Sequence, residues 1–358
     1  MTRSPISAAP SAASRSSPSA SSALSLSSLT LDHLLDRRLL LFTGKGGVGK
    51  STVVAALAVE AARRGQRPLI VELGHRASMQ SIFGVPQIGH QPTAVTADGK
   101  VWAANLDLDE AIVDYVVEQV KVRRIARSIT SNRTLQGLFR AAPAVREIAM
   151  LNRLRLFERE QSRGRPSWGP ILVDLDATGH ALMLLDMPQI LANLLSGGPL
   201  RGLVDALTGL FTDPSRTLLN LVTLPAEIPV QETLELHDRL VRGRGIKLGA
   251  LFVNQVPPPP LDPELRPLLP ELVQLATHAQ LAELSHDLDL ATQALAEDAR
   301  VRELIATLHR ELRMPLALLP RLDPQSPDAL QTLGRAALHE LAPPPPRTTG
   351  SFAMQEGA

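Results

Sequence analysis

The run Gly44-Lys45-Gly46-Gly47-Val48-Gly49-Lys50-Ser51-Thr52 constrains this chain more tightly than any other feature. The apolar stretch 39–42 precedes it directly, and residues 53–63 follow it with apolar positions at helical spacing. A strand, a glycine-rich turn and a helix in that order form a phosphate cradle. The glycines let backbone N–H groups turn inward toward phosphate oxygens, and the new helix aims the positive end of its dipole at the same place. In such a loop Lys50 is expected to contact the β- and γ-phosphates of a nucleotide, the Ser51 hydroxyl to ligate Mg²⁺, and Thr52 to reach the α-phosphate.

Beyond the loop, short aliphatic runs alternate with longer helical ones, as in parallel α/β proteins. Strands are expected at 39–43, 68–73, 171–174, 218–224 and 247–253, with a further strand at 315–319 and a closing helix at about 327–341. The first five each end at a loop or turn signal, which gathers functional loops along the carboxyl edge of one sheet. The expected fold is therefore α/β, a P-loop NTPase with a mostly parallel, doubly wound sheet, helices on both faces and helical insertions at about 105–162 and 181–210. In the first insertion Val113, Val116, Val117 and Val120 recur at helical spacing, followed by Lys121, Arg123, Arg124 and Arg127. Because Glu110, Asp114 and Glu118 come just before, these cations read as a solvated face completing a helix dipole, with an anionic-ligand patch as the alternative.

Ser, Ala and Pro dominate residues 1–30, a composition that cannot bury enough apolar surface to offset its chain entropy. That tail is expected to be disordered; its Arg3 and Arg15, with no acid before Asp32, leave a transit peptide as the alternative. Four prolines at 343–346 close the last helix, so 343–358 reads as a second loose tail and 31–342 as one domain. The balance of 37 basic and 36 acidic residues, net +1, supplies no field for holding nucleic acid. No apolar run approaches the roughly 18 residues of a bilayer span, so no integral membrane segment and a cytoplasmic location are expected. The chain has no cysteine, which removes disulfides, thiolate metal sites and cysteine nucleophiles.

Lys45, second in the loop, resembles the signature lysine of the dimeric ATPases with a deviant Walker A loop, a class that includes ArsA, MinD, ParA and the nitrogenase iron protein. The segment Val173-Asp174-Leu175-Asp176-Ala177-Thr178-Gly179-His180 looks like switch II of the ArsA and guided-entry ATPase family. Asp174, Thr178, Gly179 and His180 match that pattern, while Leu175, Asp176 and Ala177 depart from it. Phe211-Thr212-Asp213-Pro214, Leu224-Pro225 and Glu232-Thr233 are similar to the family's downstream stretch, and Val253-Asn254-Gln255 resembles its adenine-recognition segment. The resemblance covers roughly 36–342. It implies ATP and Mg²⁺ as cofactors, Asp174 beside the Mg²⁺ water shell, Asn254 as an adenine reader, and Lys45 reaching across a dimer interface to the partner's phosphates. For Asn254 the alternative is a turn residue before Pro257. A positioning ATPase like ParA or MinD is the rival class, which the Thr-Gly-His ending of switch II disfavours.

One departure bears on catalysis. Family members carry an aspartate after the second strand that positions the attacking water, and the register counted from Lys50 puts Gly74 there. Glu72, two residues earlier on the same face of the strand, Asp176 in switch II, and His75 are the groups that would compensate. The alternatives are that Glu72 is a strand-end carboxylate expected to pair with a Lys or Arg, and His75 an exposed loop histidine. Thr178 and His180 either relay the γ-phosphate's presence into the following segment or cap a helix. The second insertion carries Met183 and Met187; its apolar positions Ile190, Leu191, Leu194, Leu195, Leu203, Val204, Leu207 and Leu210 would line a modest client groove or form ordinary core helices, the latter favoured. Two functions follow: a Mg-ATP-driven dimer, of two copies or with a paralogue, acting on a hydrophobic or otherwise unknown client, or a nonhydrolytic subunit that lends Lys45 to a paralogous partner.

Overall fold

The computed structural model describes residues 31–73, 77–120, 143–175, 178–194, 196–242, 245–323 and 326–339. Both expected tails, the basic residues at 121–127, and Gly74, His75 and Asp176 lie outside the described residues.

The apolar run before the glycine-rich loop forms β1 (Leu39–Thr43), buried at every position, as a strand covered on both faces must be. The loop leads into α1 (Lys50–Arg63), and β2 (Leu69–Leu73) and the short α2 (Ser78–Phe83) follow. Next come β3 (Thr93–Ala94), β4 (Trp102–Asn105), α3 (Leu108–Val120) and α4 (Pro143–Arg159), then a small hairpin of β5 (Gln161–Ser162) and β6 (Arg165–Pro166). The central strand β7 (Ile171–Leu175) precedes α5 (Thr178–Leu194) and α6 (Pro199–Thr212). The chain continues through β8 (Thr217–Thr223), α7 (Glu227–Val241), β9 (Leu248–Val256), α8 (Leu269–His278), α9 (Ala282–Leu312), β10 (Leu316–Pro320) and α10 (Ala329–Ala337).

Eight strands make one sheet in the order β10-β9-β8-β1-β7-β2-β4-β3, parallel throughout except for the β3–β4 edge pair. The α/β doubly wound expectation holds, and the six strands read from the sequence all appear within a few residues of their expected ends. Two apolar layers cover the sheet. Leu39, Leu41, Val71, Val173 and Leu221 face α4, α5, α6, α7 and α9, while Leu40, Phe42, Ile70, Leu172 and Phe252 face α1 and α10. The alternation carries Glu72, Asp174 and Asn254 onto the α1 side, because each stands two residues beyond a core residue of that side.

The packing of α1 depends on one glycine. A Cβ on Gly334 of α10 would lie 2.5 Å from the Ala56 carbonyl oxygen and 2.9 Å from Glu60 Cβ. The two helices therefore approach as closely as only a missing side chain allows.

The insertions differ from expectation in detail. Residues 102–105 are strand β4, next to the sheet's edge, and 161–166 a hairpin, so the helical part of the first insertion is narrower than 105–162. In the second, Leu203, Val204, Leu207 and Leu210 are buried in the core, which settles α6 as an ordinary core helix. Met183 and Ile190 of α5 are exposed, and more exposed apolar surface gathers around α8 and α9, at Leu265, Leu268, Leu272, Leu275, Leu281, Leu284 and Leu290. The 31-residue α9 is about 46 Å long. Its buried residues, Val301 to Leu312, all lie in the C-terminal part, so its first half is held by little except α8.

Candidate functional site

The loop between β1 and α1 sits at the carboxyl edge of the sheet. Its last residue before the helix, Gly49, has φ 86° and ψ 28°, and a Cβ there would stand 2.3 Å from Asn254 Nδ2. Glycine at 49 therefore satisfies both a left-handed backbone and a close neighbour. As the N-cap it offers no side-chain acceptor of its own to the first-turn amides of α1. Cβ atoms built on Gly46 and Gly47 meet nothing within 4 Å, so the loop borders open space.

Asn254, only 4% exposed on β9, donates from Nδ2 to the Val48 carbonyl at 2.9 Å. It thus ties β9 to the loop, a role distinct from reading a base. A primary amide has a second N–H and a carbonyl oxygen, so the two roles are compatible.

Asp174 reaches the site through strand register: it pairs with Phe42 of β1 on one side and Glu72 of β2 on the other. The Ser51 hydroxyl donates to Asp174 Oδ2 at 2.5 Å. Lys50 Nζ donates to the carbonyls of Gly44 and Lys45, both at 3.1 Å, and so arches over the loop that it belongs to. Lys45 turns the other way, its ammonium donating to Glu232 Oε1 on α7. These residues suit a magnesium-bound polyphosphate. Loop amides and Lys50 offer donors to phosphate, and two protein oxygens on Ser51 and Asp174 match a cation that takes its other ligands from phosphate and water.

Glu72 is 3% exposed. Its Oε1 accepts the Met79 N–H at 3.0 Å, so it caps the first turn of α2, while Oε2 is buried without a hydrogen-bond partner. Burial raises its pKa to about 7; the Met79 amide opposes that rise, the Asp174 charge adds to it, and the Ser78 amide opposes it. The expected pairing of Glu72 with a Lys or Arg is thus replaced by helix amides. The structure therefore brings Gly44–Thr52, Asp174, Glu72 and Asn254 to one edge; Thr178 and His180 open α5, and Asp176 and His75 are outside the described residues.

Glu232 is the site residue that sequence reasoning passed over, noting it only within a Glu-Thr pair resembling the family. The signal was positional: α7 follows β8, the direct neighbour of β1, so its first turns rise beside the loop. Among the described residues no cluster of three or more His, Cys, Asp or Glu could hold a metal, and no helix is long and apolar enough to cross a membrane.

A family model described as anion-transporting ATPase (ArsA ATPase) matches residues 37–198, from just before β1 to just before α6, and so includes both the loop and Asp174. ATPase BagA of Mycobacterium tuberculosis is 31% identical over 231 residues, covering 63% of this chain and 67% of that protein. The arsenical pump-driving ATPase of Escherichia coli is 29% identical over 238 residues, and that of Acidiphilium multivorum 28% over 243. Each of these two alignments covers 61% of this chain but only 39% of the longer relative.

Proposed function

This chain belongs to the ArsA-type anion-transporting ATPase family and is an ATPase of that family; on that premise we propose that it works as a Mg-ATP-switched dimer acting on a client yet to be identified. The observation that carries the reading is the Ser51–Asp174 hydrogen bond of 2.5 Å, set beside Lys50 and the glycine-capped start of α1.

In this reading Gly44 to Thr52 cradle the phosphates, with Lys50 leaving the loop carbonyls to meet the β- and γ-phosphates. Ser51 and Asp174 would hold Mg²⁺, which when bound would supply charge neutralisation for the transferred phosphoryl group. Asn254 keeps the loop in shape and offers its remaining amide groups to adenine. Lys45 extends to the phosphates of the opposite subunit, so that nucleotide draws two subunits together and hydrolysis releases them.

Hydrolysis is proposed to be slow. Gly74 occupies the position of the family's water-positioning aspartate, and losing such a group costs on the order of 10²–10⁴ in rate. Glu72 and Asp176 are the carboxylates proposed to compensate. The second reading, a nonhydrolytic subunit paired with a paralogous ATPase, is favoured by one observation: Glu72 already spends one oxygen on the Met79 amide. Metalloid capture through thiolates is not available to a chain without cysteine. The domain is proposed to span 31–342 in a cytoplasmic protein, with no nucleic-acid partner.

Steady-state ATP hydrolysis at several protein concentrations with Mg²⁺, alongside Lys50→Ala and a nucleotide-binding titration, tests this. Turnover per subunit that rises with protein concentration and vanishes in Lys50→Ala supports the self-sufficient dimer. Tight binding without turnover moves the assignment to the nonhydrolytic subunit, and absence of nucleotide binding overturns both.

A further inference from the structure

The two loop lysines are held in different ways. Lys50 rests on two carbonyl oxygens of its own loop, whereas Lys45 is drawn out of the loop onto a carboxylate from another element. That carboxylate, Glu232, sits in the second turn of α7, and its surroundings fix it in place. The hydroxyl of the next residue, Thr233, lies 2.9 Å from Thr223 Oγ1 and 2.7 Å from the Pro229 carbonyl, which pins the start of α7 to the end of β8. The Glu232 side chain is 31% exposed and that of Lys45 53%, and Glu232 Oε2 is buried without a hydrogen-bond partner. The acid end of the pair is sunken and anchored; the lysine end is open. Such a pair separates by the lysine swinging outward, not by the helix moving.

We propose that Glu232 is a positioning residue that parks Lys45 within its own subunit and thereby sets the protein concentration at which the ATP-bound dimer forms. The inference rests on the dimer reading above, in which Lys45 reaches partner phosphates. A lysine side chain cannot extend outward across an interface while its ammonium is folded onto Glu232, so assembly must break the pair. Breaking it strips the cation from a partly buried carboxylate, which makes the pair harder to give up than one between two fully solvated side chains. The negative charge of partner-bound phosphate is what outcompetes Glu232.

Glu232→Gln keeps the shape and an acceptor oxygen but removes the charge. Self-association with Mg²⁺ and a non-hydrolysable ATP analogue is measured by light scattering or sedimentation for wild type, Glu232→Gln, Glu232→Asp and Lys45→Ala. The expected result is a midpoint concentration about threefold to tenfold lower in Glu232→Gln, with Glu232→Asp close to wild type because the charge is restored. Added salt weakens the Lys45–Glu232 pair, so the advantage of Glu232→Gln over wild type should shrink as salt rises, a signature that a purely structural role would not give. If Glu232→Gln matches wild type while Lys45→Ala fails to assemble, the parking role is overturned and the dimer reading survives. If Glu232→Gln assembles more weakly, Glu232 belongs to the assembled interface and the parking role is again overturned. If Lys45→Ala assembles as wild type does, the reading of Lys45 in trans fails, and the parking role with it.

Discussion

Glu72 and Asp174 occupy register-paired positions on β2 and β7, so two carboxylates stand side by side at the carboxyl edge of the sheet, on the face that α1 covers. Neighbouring carboxylates in a buried setting resist ionising together. Here the asymmetry between them is visible: Asp174 receives the Ser51 hydroxyl, whereas Glu72 has one oxygen on a helix amide and the other buried without a partner. Burial first, with the Asp174 charge adding to it, holds Glu72 toward its neutral form, with a pKa of about 7.

That shift makes stability depend on pH. A carboxyl whose pKa rises from 4.5 to about 7 on folding is protonated in both states below pH 4.5, where its contribution is fully present. As pH rises, the unfolded chain ionises first, and stability falls until the folded group also ionises near pH 7. The full effect is on the order of 3 kcal/mol. Urea denaturation in the absence of metal, followed through Trp102 and Trp168, should show wild type losing about that much more stability than Glu72→Gln between pH 5 and 8. Parallel pH profiles would show that Glu72 is not held neutral.

Ser51→Ala tests the cation site separately from the loop. The substitution removes the donor to Asp174 and one oxygen available to Mg²⁺, while leaving the backbone cradle in place. Disturbing the residues around a metal site typically costs about tenfold to a hundredfold in metal affinity, so nucleotide affinity measured with Mg²⁺ should fall about tenfold or more. Affinity measured in EDTA should change little. Equal losses under both conditions would mean that Ser51 supports the loop and not the cation.

The loop, the six main strands and the edge on which they end were legible in the sequence because continuous aliphatic runs bounded by turns have few other readings. Asp174 was legible for the same reason: a carboxylate ending such a run must sit at the sheet edge. The short β4, Trp-Ala-Ala-Asn, escaped because it lacks β-branched residues and lies beside the sheet's edge strand, where tertiary context outweighs propensity. The partners of Asn254 and Lys45 were not legible either, since each comes from an element distant in sequence. Asn254 and Val48 are separated by 206 positions and Lys45 and Glu232 by 187, and no local pattern encodes such a contact.

Gly334 offers a test of how α1 is held. In a helix, alanine is favoured over glycine by about 1 kcal/mol, so propensity alone predicts that Gly334→Ala stabilises the protein. The added methyl would meet the Ala56 backbone oxygen at 2.5 Å, and backbone cannot rotate aside. Overpacking costs of about 1–3 kcal/mol should prevail. Gly334→Ala is therefore expected to lower stability in urea denaturation and to weaken nucleotide binding as α1 is displaced; a stabilised variant would show that α10 shifts freely.

Asn254 separates two roles that the sequence could not. If its buried amide chiefly clamps the loop, Asn254→Ala leaves the Val48 carbonyl without its donor, at a cost of about 1–3 kcal/mol, and the loss appears without nucleotide. Binding of ATP and GTP should then weaken by the same factor, because the disturbed element is the phosphate cradle that both share. If the second amide N–H and the carbonyl oxygen also read adenine, ATP affinity should fall further than GTP affinity, and the ratio of the two measures that part alone. Titrating both nucleotides against wild type and Asn254→Ala, with unfolding measured in parallel, resolves the two roles. A variant with unchanged stability and an unchanged ATP to GTP ratio would remove Asn254 from the site altogether.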